Sequence, residues 1–414
     1  MNASFYPFPP NNTQEWTEKI IQELKGKSIE SLQIPLSEGI VLSPFYTKDN
    51  LPPTLPTLHR STPTWENIFA IEPTDFTQLS SFIADGATCF FWKVNNWQSL
   101  PTEAAKYAWI LESETLPTDT VLLPSKSIVV CDFVAQHAAK GLVLETSHWH
   151  NLADRLRKNT SKETKLLGIN GNIFHRAGAN AVQEIGSILA MWVTYLDQLT
   201  DENIPIELLF QHSTFHLSVG THYFLEIAKL RALRYLTHFI AQQYLTTFQG
   251  SFAIYAQGNL QNKATIDEHN NILRSTTETM SAVLGGAEGV MIPAFSQEDK
   301  AFARRISHNI NLILKEEAHL DKVLDAVAGS YYLENLTQQV IEKSWDYFHQ
   351  IEHKGGFLKV IAQNWLQKDI ASEGGKQKNA IASGQKTWVG VNKYIPKDSN
   401  TKVQEWAIEP LHLF

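Results

Sequence analysis

HNNILRSTTETMSAVLGGAEGVMIPAF (residues 269–295) reads as a helix, a stop and a short apolar run. Ile272, Leu273, Met280, Val283 and Leu284 recur at helical spacing, which predicts a helix over 268–284 packed on the core through those side chains. Gly285 and Gly286 follow that helix instead of preceding one, so they predict a helix C-cap and not a phosphate-binding loop. GVMIPA (289–294) then has the length and apolar continuity of a buried parallel strand. A helix feeding directly into such a strand is the repeating unit of an α/β sheet.

The same alternation extends outward from this unit. Candidate strands are WENIFAI (65–71), ATCFFWKV (87–94), TVLLP (120–124), SIVVCDFV (127–134), TKLLGIN (164–170), IELLFQHS (206–213), SFAIYAQ (251–257) and GVMIPA. Helices are predicted over 179–199, 218–243, 268–284 and 298–318. Eight strands in this span fit an α/β fold of the (β/α)8 TIM type, for which about 250 residues is typical; a doubly wound open sheet is the alternative. Before it, TQEWTEKIIQELK (13–25) sets Trp16, Ile20, Ile21 and Leu24 on one stripe, and SLQIPL and GIVLSPFY suggest a small hairpin. NLPPTLPTLHRSTP then reads as an extended tether. The expected organisation is an N-terminal arm over 1–58, a barrel over 59–335 and a C-terminal helical linker over 336–414.

With 414 residues, 43% hydrophobic and 19% charged, the chain has ordinary globular composition. A net charge of -8 and the lack of any basic run argue against nucleic acid as a partner. No stretch approaches the ~18 apolar residues of a membrane span, and MNASFYPFPPNNT lacks the pattern of a secretory leader, so the expected location is cytoplasmic, with no membrane partner. Cys89 and Cys131 sit in apolar runs and are expected to be reduced and buried.

HNNILRSTTETMSAVLGGAEG, THYFLEIAKLRALRYL (221–236), VLDAVAGSYYLENLT (323–337) and WVGVNKY (388–394) resemble the methylmalonyl-CoA mutase family over most of the chain. WTEKIIQELKGKSIESL followed by EGIVLSPFY is similar to that family's amino-terminal arm. The resemblance implies an eight-stranded barrel for an acyl-CoA, stacked on a cobalamin-binding domain. Together these isomerise methylmalonyl-CoA and succinyl-CoA through a radical formed from adenosylcobalamin.

The residues that the resemblance would make chemical are replaced. Where the family has Thr-Met-Tyr-x-x-Arg-Pro before the first strand, this chain has Thr57-Leu58-His59-Arg60-Ser61-Thr62-Pro63, with His59 for the Tyr and Thr62 for the Arg. Where the family has Gly-Tyr-His-Met-Gln-Glu-Ala-Gly-Ala after the fifth strand, Gly171-Asn172-Ile173-Phe174-His175-Arg176-Ala177-Gly178-Ala179 places Ile173 at the catalytic His; His175, two residues on, reads as a structural or surface histidine. In the family's Arg-Thr-x-x-Gln, the Arg position is Ala253 and only Gln257 survives. A substrate carboxylate without a guanidinium partner is poorly compensated. The family's Gln-Asn-Asp-Ile-Leu-Lys-Glu segment, with its downstream substrate-binding Arg, has no counterpart between Val134 and Leu166. The family's Asp-x-His-x-x-Gly cobalt motif has no match: Asp267-Glu268-His269 is followed by Asn271 and Ile272, and reads as a helix cap.

Bulky residues in CFFWKV, ELLFQH and AIYAQ predict a packed barrel axis whichever parity faces inward. His148 and His150, like His212, His216 and His222, lack accompanying carboxylates or cysteines at ligand spacing, so surface or cap roles are expected and no metal. These readings predict a small, non-catalytic subunit of a heterodimeric mutase that binds no cofactor itself. Its large partner subunit would carry adenosylcobalamin and the chemistry, and the amphipathic arm would wrap that partner. Two alternatives are a competent barrel served by a separate cobalamin-binding chain, opposed by His59, Ile173 and Ala253, and an acyl-CoA-binding regulatory module, supported only by Gln257.

Overall fold

A computed structural model describes residues 12–52, 58–97, 100–159, 161–296, 298–396 and 407–414. The arm comprises helix α1 (Thr13–Glu23) and a hairpin of β1 (Ile34–Pro35) and β2 (Val41–Leu42). Asn12 starts α1 by accepting the Glu15 N–H, and Gly26, at φ +91°, follows its end. Residues 53–57 of the proline tether lie outside the described residues.

Eight parallel strands follow: β3 (Glu66–Ile71), β4 (Cys89–Val94), β5 (Ala108–Ser113), β6 (Ser127–Val130), β7 (Leu167–Asn170), β8 (Ser213–Val219), β9 (Ala253–Gly258) and β10 (Gly289–Met291). Their order is β6-β5-β4-β3-β10-β9-β8-β7. Lys165, just ahead of β7, pairs with the β6 edge through two 2.8 Å backbone hydrogen bonds, Val129 N–H to Lys165 O and Lys165 N–H to Ser127 O, which brings the ends of the sheet together. The result is the expected TIM-type barrel.

The helices are α2 (Leu79–Ala84), α3 (Phe133–Lys140), α4 (Thr146–Lys158), α5 (Asn172–Arg176), α6 (Ala181–Asp201), α7 (Ile206–His212), α8 (Tyr223–Tyr244), α9 (Asn270–Leu284) and α10 (Lys300–Leu312). The linker supplies α11 (Tyr331–His353), α12 (Phe357–Ala362) and α13 (Trp365–Ala382). α11 straddles the expected boundary at 335 and is no loose appendage: Leu336, Val340, Ile341 and Tyr347 join the main core with Ile185, Leu189 and Leu233 of α6 and α8. Gly186 permits this approach, since a Cβ there would stand 2.8 Å from the Tyr347 ring.

The count of eight strands is right although two candidates are wrong. TVLLP is a loop that exposes Leu122, and IELLFQH is α7, a run whose apolar content fits helix or strand equally. The strands missed are AWILES, whose Trp109 and Leu111 point to the helices while Ala108 and Ile110 point to the axis, and STFHLSV, which carries Ser, Thr and His. SIVVCDFV stops at Val130 because the Asp132 carboxylate caps α3 through the Ala135 N–H.

Helix α9 forms as expected and packs Val283, with Ile272 and Met280 against it, into the main core, but it also buries polar side chains. Asn271, Ser275, Glu278 and Thr279 are buried, whereas Leu273, expected to pack, is 66% exposed. Asn271 accounts for this: it receives the Ala264 N–H and donates to the carbonyls of Ala264 and Phe295, satisfying the loop ends around it. Gly285 caps the helix by donating to Ser281 O, and Gly286 follows at φ +91°.

Candidate functional site

Barrel ligands gather at the carboxyl ends of the strands, and the side chains that alternate inward decide what can pass along the axis. Ile68, Cys89, Ile110, Ile128, Val130 and Met291 form one cluster there, with Phe91, Ala108 and Tyr255 against it. Tyr255 stacks on His216 of the neighbouring strand at 5.2 Å between centroids. The space left beside Gln257, bounded also by Phe91, Tyr255, Glu112 and Asn172, is about 20 Å³. That is room for about one water molecule, against the several hundred Å³ of an ordinary organic-ligand pocket.

A larger cavity of about 370 Å³ lies at the carboxyl mouth, bounded by Lys93, Glu112, Asp132, Asn170, Ile173 and Arg176 and roofed by Glu409 and Leu411. Asp132 is held by the Ala135 and Asn170 N–H groups and the Tyr195 hydroxyl, at 2.7 to 2.9 Å. Burial still pushes its pKa up to about 6, against those hydrogen bonds.

The four positions singled out in the sequence are spread along the barrel. His59 precedes β3 at the amino-terminal end, where its Nδ1 meets the Arg60 carbonyl at 2.8 Å. Ala253 opens β9 at that same end, and Gln257, four residues along the strand, faces the narrowed axis. Ile173 is buried in α5 at the opposite, carboxyl mouth. No arginine stands with Gln257 among the residues around that small space.

His175 is a satisfied structural histidine: its Nε2 accepts from Asn259 Nδ2 at 2.7 Å, and its Nδ1 lies 3.4 Å from Glu184 Oε2. It belongs to a charge network that sequence reasoning missed. Lys229 Nζ sits 2.9 Å from Glu184 and 2.6 Å from Glu226, all three buried. Burial pulls the Lys229 ammonium down, but the two carboxylates outweigh it and hold its pKa above the usual lysine range. Burial likewise pushes Glu184 up, while Lys229 and His175 bring it below the usual carboxylate value. The available signal was FLEIAKL, where Glu226 and Lys229 stand three apart on a helix that is otherwise apolar on that side.

The remaining histidines divide. His148 accepts the Glu145 N–H at the start of α4, as a cap should, and His150 and His222 are exposed. His212 and His216 correct the surface reading: both are buried, and burial lowers them to about 4 and about 3. Among the described residues no cluster of three or more His, Cys, Asp or Glu side chains is placed to hold a metal ion. Asp267 also departs from the expected helix cap. It turns the chain at φ +53° and accepts from the Asn270 side chain.

A family model described as methylmalonyl-CoA mutase matches residues 146–412, more than half of the chain. The chain belongs to the methylmalonyl-CoA mutase family. A protein named methylmalonyl-CoA mutase small subunit, from Porphyromonas gingivalis, is 35% identical over 236 residues, covering 56% of this chain and 38% of the relative. One of the same name from Streptomyces virginiae is 33% identical over 233 residues, covering 56% and 38%. A methylmalonyl-CoA mutase from Cereibacter sphaeroides is 33% identical over 243 residues, covering 57% and 34%. The chain thus spans little more than a third of each of these relatives. Among the described residues no helix is long and apolar enough to cross a membrane.

Of the residues set against the family's cobalt motif, His269 sits in a tight turn beside Asp267, with Ile272 where that motif has glycine.

Proposed function

We propose that this chain is the small, non-catalytic subunit of a heterodimeric methylmalonyl-CoA mutase acting in the cytoplasm. A large subunit holds adenosylcobalamin and converts methylmalonyl-CoA to succinyl-CoA. The observation that carries the reading is the axis: the space beside Gln257, walled by Phe91 and Tyr255, is about 20 Å³, far below the room an acyl-CoA needs. Ala253 and Ile173 in place of the family's Arg and His support it, and so do the relatives named small subunit.

The role left to the chain is stabilisation of its partner. The arm suits it: no residue of α1 is buried, Ile21, Ile34, Val41 and Phe45 are exposed, and Trp16 stacks on Phe45 at 4.7 Å. Such an apolar, solvent-facing set is expected of a surface that closes on another protein.

The test is reconstitution. Calorimetry of the purified chain with methylmalonyl-CoA should give no binding heat, and the chain with free adenosylcobalamin should give no succinyl-CoA. Mixed with the large subunit it should co-elute as a heterodimer and raise that subunit's melting temperature. Turnover by the chain without the large subunit would sink the proposal.

A further inference from the structure

Residues 407–414, AIEPLHLF, cross the carboxyl face of the barrel as an extended strap. Glu409 N–H donates to Arg176 O at 2.9 Å, and His412 N–H donates to Ala138 O at 3.0 Å, joining α5 and α3. On the other side Gln367 Nε2 donates to His412 O at 3.0 Å, and Asn364 exchanges two hydrogen bonds with the Phe414 backbone. The strap therefore lies between the barrel mouth and the linker helices.

Two glycines shape the channel. A Cβ on Gly141, which ends α3 at φ +68°, would fall 2.3 Å from the His412 ring, and a Cβ on Gly374 would fall 3.0 Å from Ile408. The channel thus has the relief of a groove cut for a peptide. Yet the strap is weakly rooted. Of its eight residues only Leu411 is buried, at 6% exposure, and the Arg176–Glu409 pair, 3.5 Å apart, is open to solvent. Buried Leu411, a partly buried Ile408 against Ile381 and Trp388, Phe414 against the His137 ring at 4.6 Å and a handful of hydrogen bonds hold eight mostly exposed residues, an element of low local stability able to open without unfolding the core. Directly beneath it is the 370 Å³ mouth cavity, which Glu409 and Leu411 roof.

We infer that the channel bounded by α3, α5, α12 and α13 is a peptide-docking groove, that its occupant is this chain's own segment 407–414, and that release of Leu411 opens the mouth cavity. Peptide recognition follows from main-chain hydrogen bonds to Ala138, Arg176 and Gln367, a carboxylate for Arg176 and a leucine pocket.

The experiment places a reporter in the cavity of the full chain through Ile173→Cys and follows its modification by a maleimide. With the native strap the labelling should be slow; adding Leu411→Ala should speed it about tenfold or more, since a buried Leu→Ala change costs more than the ~1.4 kcal/mol that tenfold represents. A synthetic AIEPLHLF peptide should then slow it again. Glu409→Lys, an exposed change that puts a like charge on Arg176 and leaves the core alone, should give a smaller increase of the same sign. Hydrogen exchange at α6 and α8 is the folding control. An unchanged rate in a folded Leu411→Ala chain overturns the gate, and failure of the peptide to slow labelling overturns the docking groove. Exchange of the strap only together with α6 and α8 overturns both.

Discussion

Arg60 caps a helix that begins 210 residues after it: its Nη1 donates to the carbonyl of Val283 in the last turn of α9 at 3.0 Å. The same guanidinium reaches Ala287 O at 3.3 Å and Pro63 O at 2.5 Å, and is 2% exposed. Helix ends leave carbonyls unsatisfied, and a buried one needs a donor. Arg60→Ala should therefore destabilise the fold by about 3 kcal/mol, as a loss of several charge-assisted bonds with their acceptors left buried. Urea denaturation checks this, and Arg60→Lys should recover only part of the loss.

The two glycines after α9 should fail for different reasons. A Cβ at Gly285 would stand 2.8 Å from Leu230 Cδ1 and 3.0 Å from Ser281 O, so Gly285→Ala should cost about 1 to 3 kcal/mol through overpacking. Gly286 meets only the Arg234 side chain, at an unstrained 3.9 Å, but has φ +91°, so Gly286→Ala should cost about 1 kcal/mol through backbone strain, and Gly286→Asn less. Melting curves for the three variants separate the mechanisms.

Lys229 neutralises two buried carboxylates, so Lys229→Met should be among the most damaging single changes, at about 3 to 5 kcal/mol. Adding Glu184→Gln to that variant should restore part of the stability, because it removes one of the charges left uncompensated. If denaturation instead shows the two losses simply adding, the network reading is wrong.

Acid should weaken the fold through His212 and His216. Both have folded values, about 4 and about 3, below the ordinary 6.5, so their contribution is fully present above pH 6.5 and is lost as pH falls from there toward those values. Each unit of pH across that window costs about 1.4 kcal/mol per group. Asp132 works the other way: with its folded value raised to about 6, its contribution is complete below the ordinary 3.8 and is lost as pH rises through 6. Two histidines outweigh one aspartate between pH 6.5 and 5, so stability should fall by a few kcal/mol there. His216→Gln should flatten that limb, which denaturant midpoints against pH would show.

Much of the barrel was legible because hydrophobic periodicity survives in linear sequence. GVMIPA, SFAIYAQ and helix α9 between them announced themselves by period and by the glycines that follow. IELLFQH and STFHLSV did not, since the first satisfies either period and the second carries polar Thr214, His216 and Ser218 on its buried inner side. The identities of His59, Ile173 and Ala253, on which the proposed non-catalytic role rests, were also legible, being matters of residue type.

By itself the sequence determined the family and most of the strands and helices, because each is a property of residue type and spacing along the chain. Tertiary structure alone decided that α9 buries Asn271 and Glu278 while exposing Leu273, that Lys229 neutralises Glu184 and Glu226, that only about 20 Å³ is left beside Gln257, and that Glu409 and Leu411 line the mouth cavity. These depend on which side chains from distant segments meet, and on whether a buried polar atom finds a partner there. Hydrophobic pattern records the average face of a helix, and carries no information about the single loop whose backbone an asparagine must satisfy.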